Sequence, residues 1–547
     1  MKINIKIIYV IFLTILFAGC ATIVAPTGGE QDKMPPKIIN SLPANKSINF
    51  NSKEIDISFS EFIKTLNQGK LSISPFTDTL PEIKVKRKRL VIKLNNKLKK
   101  DITYNIDLSD VVADITENNA VKDLKYVFST GAYLDSLSYI GRLIDSYTLK
   151  PEKDLFVMLY DKYSDSVPYK SKPLYLCKTD EKGFFKFSNI KDNKYKFFAL
   201  KDENSDYLYN SLKEKVAFID TLIKPFYIND TAKTDSNKIS DLFMFQAKDS
   251  IQKLIRIDVV NKRQIGIVFK NPLINPQFEI LNNPGNKRLI YEISNDRDSV
   301  LLWFIDEMTD SFKLKISDKK YFSDTIDLFI YKQGTQSAAR KKSKENFQYK
   351  ININKQNKIE SYQKLIITSL LPLTEYKFDK ILVIDKKDTI RHLKISFDSL
   401  KRQIIVNNEF KQGIEYTLFI PPNSFTNLLG LSNDSIKRIF SFKSTKDYGE
   451  ISLNVNFNKA QTPVIICLLN EKDKIIKEKI IHSSGIVKFN NLIPQNYKLK
   501  VIIDKNQNNR WDTGNYLRKQ QPEKVYIYSK SLIVRPDWLT EIDWKIF

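Results

Sequence analysis

Asp504, Asn506, Asn508 and Asp512 place side-chain oxygens at the first, third, fifth and ninth positions of one short stretch, with the Arg510 carbonyl available at the seventh. That is the donor spacing of a calcium loop, where carboxylate, amide and carbonyl oxygens surround a hard cation. Two positions depart from it. Asn509 stands where such a loop turns on glycine, and Asn515 stands where a bidentate glutamate would close the cage. The two carboxylates that remain define a low-affinity site of the extracellular kind, and the same residues also read as Asx turns that hold a long loop between strands. Both readings stay open on the sequence.

Elsewhere the inventory for chemistry is thin. The chain of 547 residues has two histidines, His392 and His482, and neither lies at ligand spacing from a cysteine, a glutamate or the other histidine. This argues against a Ser-His-Asp machine and a histidine-rich zinc centre. Cys177 and Cys467 each sit alone in an apolar, strand-like run and read as small buried hydrophobes. Carboxylate pairs such as Asp202/Asp206 and Glu541/Asp543 satisfy the bare requirement for glycoside hydrolysis, but any acid-containing chain offers such pairs. No nucleophile elbow, phosphate loop or dinucleotide fingerprint is present. The formal net charge of +25 attracts polyanions, yet the lysines are scattered through alternating strands and form no basic arm.

The elements that carry these residues read as β throughout. Short period-two runs recur, such as Ile55-Asp56-Ile57-Ser58-Phe59, Leu90 to Leu94 and Tyr126 to Phe128, and Phe, Tyr, Ile and Val are abundant. The expected fold class is all-β, a tandem of β-sandwich domains. An internal repeat sharpens this. With Gly183 placed on Gly485 and no gaps, Lys186 meets Lys488, Phe187 meets Phe489, Tyr195 meets Tyr497, Asp202 meets Asp504 and Asn204 meets Asn506. The strand order of 361–446 likewise parallels that of 55–130. At the front, Lys2 and Lys6 precede an uncharged run from Ile7 to Gly19, too short for a membrane-spanning helix and shaped like a secretory signal.

Several stretches resemble known families. Leu16-Phe17-Ala18-Gly19-Cys20 resembles the lipobox of bacterial lipoproteins, which implies cleavage before Cys20 and acylation of that residue. Pro35 to Asn45, Ile57 to Phe62 and Phe128-Ser129-Thr130 resemble the bacterial Ig-like domain of surface-layer proteins, a structural module. Thr179 to Phe187 with Tyr195 is similar to the carboxypeptidase regulatory-like or Cna-B-like fold, a prealbumin-type spacer. The loop from Asp504 resembles those of calcium-binding surface proteins. A recurring Asp-Ser/Thr-aliphatic triplet, with Thr79, Ser136, Thr325, Thr389 and Ser435 as acceptors, resembles the O-glycosylation motif of exported Bacteroidetes proteins, and an Asp turn entering a strand gives the same triplet.

As a whole the chain resembles the Ig-like-domain lipoproteins of Bacteroidetes. That resemblance implies a signal peptide (1–19), a lipidated tether (20–36), an Ig-like domain (37–131), a regulatory-like sandwich (134–221), a sandwich of unnamed type with a basic linker (222–358), a second Ig-like domain (361–446) and a second regulatory-like sandwich with a C-terminal extension (449–547). The implied function is a non-catalytic scaffold or adhesion module. It would be held to the outer membrane by its lipid and directed at an envelope protein or glycan, not nucleic acid. The alternatives are an accessory subunit of an outer-membrane assembly or transport complex and, third, a carbohydrate-active enzyme. The residues after Cys20 lack acids until Glu30, which favours the periplasmic face.

Overall fold

The computed structural model describes residues 32–227, 239–261, 263–281, 287–306, 311–319, 322–329, 346–385, 388–457 and 463–546. Strands dominate, as the alternating patterns dictate: in Glu54–Phe59 the inward residues Ile55, Ile57 and Phe59 are buried while their neighbours face outward. No helix among the described residues is long and apolar enough to cross a membrane. The chain divides into two compact units. One comprises residues up to Ala247 together with Asn515–Gln520, and the other comprises Lys248–Gly514 and Gln521–Phe547.

The first unit opens with a sandwich. One sheet orders Ile38–Leu42, Glu54–Phe59, Arg89–Lys93 and Glu82–Lys86, all antiparallel, and a facing sheet joins Ser72–Ser74, Thr103–Asp107 and Lys125–Ser129. Ile55, Ile57, Phe59, Leu90 and Ile92 pack there with Tyr104, Ile106, Tyr126 and Phe128. The Tyr104 ring stacks on Phe128 at 5.3 Å, and its hydroxyl accepts the Lys99 backbone N–H at 2.8 Å. This is the tyrosine corner of immunoglobulin-type sandwiches.

A seven-stranded sheet follows, ordered Tyr175–Lys178, Phe156–Tyr160, Lys196–Leu200, Lys215–Phe218, Ser240–Gln246, Leu137–Asp145 and Phe184–Ile190. Ser240–Gln246 runs parallel to Leu137–Asp145 and antiparallel to Lys215–Phe218. This corrects the expected boundary at 221: Asp241 to Phe245 completes this module and does not open the next one. Gly183 is required here, because it holds φ of +79° and an added Cβ would lie 2.4 Å from the Leu143 carbonyl oxygen. Tyr516, in the Asn515–Gln520 segment of this unit, is buried with its ring 5.0 Å from Phe198 and 5.1 Å from Phe218, and it donates its hydroxyl to the Asp165 carbonyl at 2.9 Å.

The second unit begins with sheets of Leu254–Asn261, Gln264–Phe269, Ser299–Phe304 and Leu289–Ile293, and of Pro276–Leu281, Ser311–Asp318 and Phe322–Phe329. The next sandwich starts earlier than expected. Tyr349–Ile351 pairs with Leu365–Ser369, and Lys358–Ile359 runs parallel to Ile436–Phe442, so the end of the segment expected to close on a basic linker at 358 is built into this fold, while Arg340 to Lys344 lie outside the described residues. Tyr416 stacks on Phe440 at 5.6 Å and accepts the Lys411 N–H at 3.0 Å, repeating the corner of Tyr104. Arg402 lies 4.8 Å over the Trp303 ring and pairs with Glu292.

The last module pairs Gly449–Asn456 antiparallel with Gly485–Leu492 and parallel with Leu539–Lys545; its other sheet orders Ile475–Ile481, Val464–Asn470, Asn496–Ile503 and Val525–Ile527. The strand order follows that of residues 137–246, with the expected C-terminal extension supplying the parallel strand, but the strands form two sheets where the earlier module forms one, because Val525–Ile527 is not paired with Leu539–Lys545. Two local devices recur as well: Tyr195 donates to the Lys191 carbonyl at 2.9 Å and Tyr497 to the Ile493 carbonyl at 2.8 Å, while Asn189 and Asn491 hold φ of 58° and 54°.

Candidate functional site

The four expected calcium donors lie in one loop leaving the strand Asn496–Ile503. Asp504 is fully buried, and its two oxygens accept the backbone N–H groups of Asn508 at 3.1 Å and Asn509 at 2.7 Å. The side-chain oxygens of Asn506 and Asn508 accept the N–H groups of Asn508 and Arg510. Their amide nitrogens both donate to the Asp512 carboxylate. Asn509 takes φ of +64°, a conformation asparagine tolerates better than most side chains. A cation at Asp512 would need both amides turned over to present oxygen. Among the described residues there is no group of three or more His, Cys, Asp or Glu that could hold a metal ion. As placed, these side chains form a hydrogen-bonded turn.

The residue that closes the loop is Glu523, which the donor spacing did not single out. It is buried, and its oxygens accept the N–H groups of Lys505 at 2.7 Å and Asp512 at 3.1 Å; its own carbonyl accepts the Trp511 indole N–H at 3.0 Å. Burial pushes its carboxyl above the ordinary glutamate range, opposed by the two backbone donors and reinforced by the charges of Asp512 and Asp504.

The earlier module carries the same device. Asp202 accepts the N–H groups of Asn204, Ser205 and Tyr207. The buried Glu214 accepts those of Glu203, Asn210 and Ser211, and burial again raises its carboxyl, with the three backbone donors opposing. Both loops also close through equivalent backbone bonds, Lys201 N–H to the Lys215 carbonyl and Ile503 N–H to the Lys524 carbonyl. The signal in the sequence was the repeated Glu-Lys-Val at 214–216 and 523–525.

The other singled-out residues do not converge on these loops. His392 and His482 are exposed, Cys177 and Cys467 are free thiols, and Glu541 and Asp543 lie on the outer face of an edge strand. Thr79, Ser136, Thr325, Thr389 and Ser435 are all exposed. Cys20 lies outside the described residues.

Residues 32–130 match the family model of the bacterial Ig-like domain. No curated protein matches the chain. Among solved structures, the major pilin subunit BcpA of Bacillus cereus is 11% identical, over 75% of this chain and 99% of that one, with a TM-score of 0.14. The S-layer protein rSbsC is 12% identical over 91% of this chain and 67% of that one, TM-score 0.14. The protein SGBP-B of a Bacteroides ovatus mixed-linkage glucan utilization locus, solved with a heptasaccharide, is 9% identical over 84% and 99%, TM-score 0.17. Scores this low define no shared overall arrangement. The Ig-like assignment rests on the family match and on the observed strands.

Proposed function

We propose that this chain is a non-catalytic, lipid-anchored scaffold or binding module of the bacterial envelope. One observation carries the reading: four of the five β modules are of two kinds, each present twice with the same hydrogen bonds at Tyr104 and Tyr416 and at Tyr195 and Tyr497. The polar side chains at its most elaborate loops, Asp202 with Glu214 and Asp504 with Glu523, are spent on backbone donors and are not poised toward a substrate. Cys20 is the lipid attachment residue in this reading, and the absence of acids between Ala21 and Gly29 favours the periplasmic face of the outer membrane. The partner is an envelope protein or a glycan. Fractionation of cells that express Cys20→Ser tests the anchor: the variant moves to the soluble fraction, and retention in the membrane with unchanged mass contradicts it.

A further inference from the structure

The two Ig-like sandwiches differ at one seam. In the first, the chain at Asn45–Ser47 closes against the strand Lys125–Ser129: Lys46 N–H bonds the Val127 carbonyl at 2.7 Å, the Asn45 side-chain oxygen accepts Val127 N–H at 2.8 Å, and Ser129 N–H bonds the Ser47 carbonyl at 2.9 Å. Tyr126 fills the space behind this closure, almost fully buried, with its hydroxyl on the Pro43 carbonyl at 2.8 Å. In the second sandwich the stacked pair Tyr416 and Phe440 corresponds to Tyr104 and Phe128, so Arg438 stands at the position of Tyr126. The bond of Ser129 is kept, as Ser441 N–H on the Asn357 carbonyl at 2.9 Å, and Lys443 N–H on the Ile359 carbonyl extends it, but Gln356 N–H, the counterpart of Lys46 N–H, turns to the Asn354 side-chain oxygen at 2.9 Å instead of bonding the strand. A cleft of about 550 Å³ remains, lined by Phe347, Gln348, Tyr349, Asn354, Asn357 and Arg438 together with Ile351 and Ile353.

That volume lies in the range of small-molecule sites, and the lining is more polar than apolar. Arg438 shares the inward register of the buried Ile436 and Phe440, yet it makes no ion pair with any described residue. Its guanidinium donates one N–H to the Lys437 carbonyl at 2.9 Å and one to the Tyr349 hydroxyl at 3.3 Å, which leaves further donors for a ligand. Among the described residues no carboxylate lines the cleft. The side-chain amides of Gln348 and Asn357 make no hydrogen bond to another described residue. A guanidinium in a half-enclosed cleft selects a carboxylate through a forked pair, amides suit hydroxyls, and aromatic faces pack against the C–H faces of sugar rings.

We propose that this cleft binds an acidic oligosaccharide, with the carboxylate of a uronic acid residue on Arg438. The proposal rests on the binding-module reading and names its ligand class. The test is calorimetric titration of the full chain with a panel of oligogalacturonate, oligoglucuronate and oligomannuronate, each beside its methyl ester, in wild type, Arg438→Gln and Asn357→Gly. Arg438 is exposed and glycine suits the φ of 58° at Asn357, so both variants keep the fold. At least one acid binds with one site, its ester binds at least tenfold more weakly, and Arg438→Gln removes that difference. Binding of none of the acids, equal binding of acid and ester, or capture of extended peptides from a random library in place of sugar overturns the proposal. If the wild type still cross-links to a partner in native envelopes while binding no acidic sugar, the module reading stands and the cleft assignment alone falls.

Discussion

Glu523→Ala removes the acceptor for two backbone N–H groups, those of Lys505 and Asp512, at a site that is 5% exposed. Hydrogen bonds to a charged group contribute about 1.5–3 kcal/mol each, and an orphaned buried donor costs about 1–3 kcal/mol, so the expected loss is about 2–4 kcal/mol for the loop. The chain has several domains, so its global unfolding is not two-state and a single midpoint would blur the effect. Amide hydrogen exchange reads it locally. A loss of about 2–4 kcal/mol speeds exchange of the Lys505 and Asp512 amides by about 30- to 1000-fold, and the strand Val464–Asn470 keeps its protection. The variant also reports on pH. The folded carboxyl sits above its ordinary value, so between the unfolded and folded values the folded state binds more protons, and this group's contribution to stability falls as pH rises through that window. Glu523→Gln abolishes that slope. Unchanged protection at both amides, or a loss spread evenly over the module, refutes the reasoning.

Tyr104→Phe and Tyr416→Phe each delete the corner bond and cost about 1 kcal/mol, with matching effects on the two sandwiches by domain-resolved hydrogen exchange. Calcium in millimolar excess over chelator leaves the melting profile unchanged, since the side chains of Asp504, Asn506, Asn508 and Asp512 are already bonded within the turn; a rise of several degrees restores the calcium reading. Mass spectrometry of the native protein finds added sugar on several of Thr79, Ser136, Thr325, Thr389 and Ser435, all exposed, and unmodified peptides at all five sink that expectation.

The alternation of Ile55, Ile57 and Phe59 made the strands legible, because one buried face imposes period two on the sequence. Partner choice was not legible in the same way. Ser240–Gln246 reads as a strand locally, but nothing local shows that it lies parallel to Leu137–Asp145 about a hundred residues earlier. Asp504 stood out through its spacing, whereas Glu523 looked like any acid at the start of a strand until its burial and its two amide partners were known. Arg438 carried no sequence signal at all. Its meaning comes from its inward register beside Phe440 and from the tyrosine that holds the same place in the other sandwich.

Chemical cross-linking of the full-length protein in native membranes, followed by mass spectrometry, tests the central claim most directly. The account predicts cross-links from the β modules to a recurrent envelope protein or glycan-bearing component, with no polysaccharide consumed by the purified chain. Turnover of a polysaccharide that disappears when a single carboxylate such as Asp202 or Glu541 is replaced would contradict it.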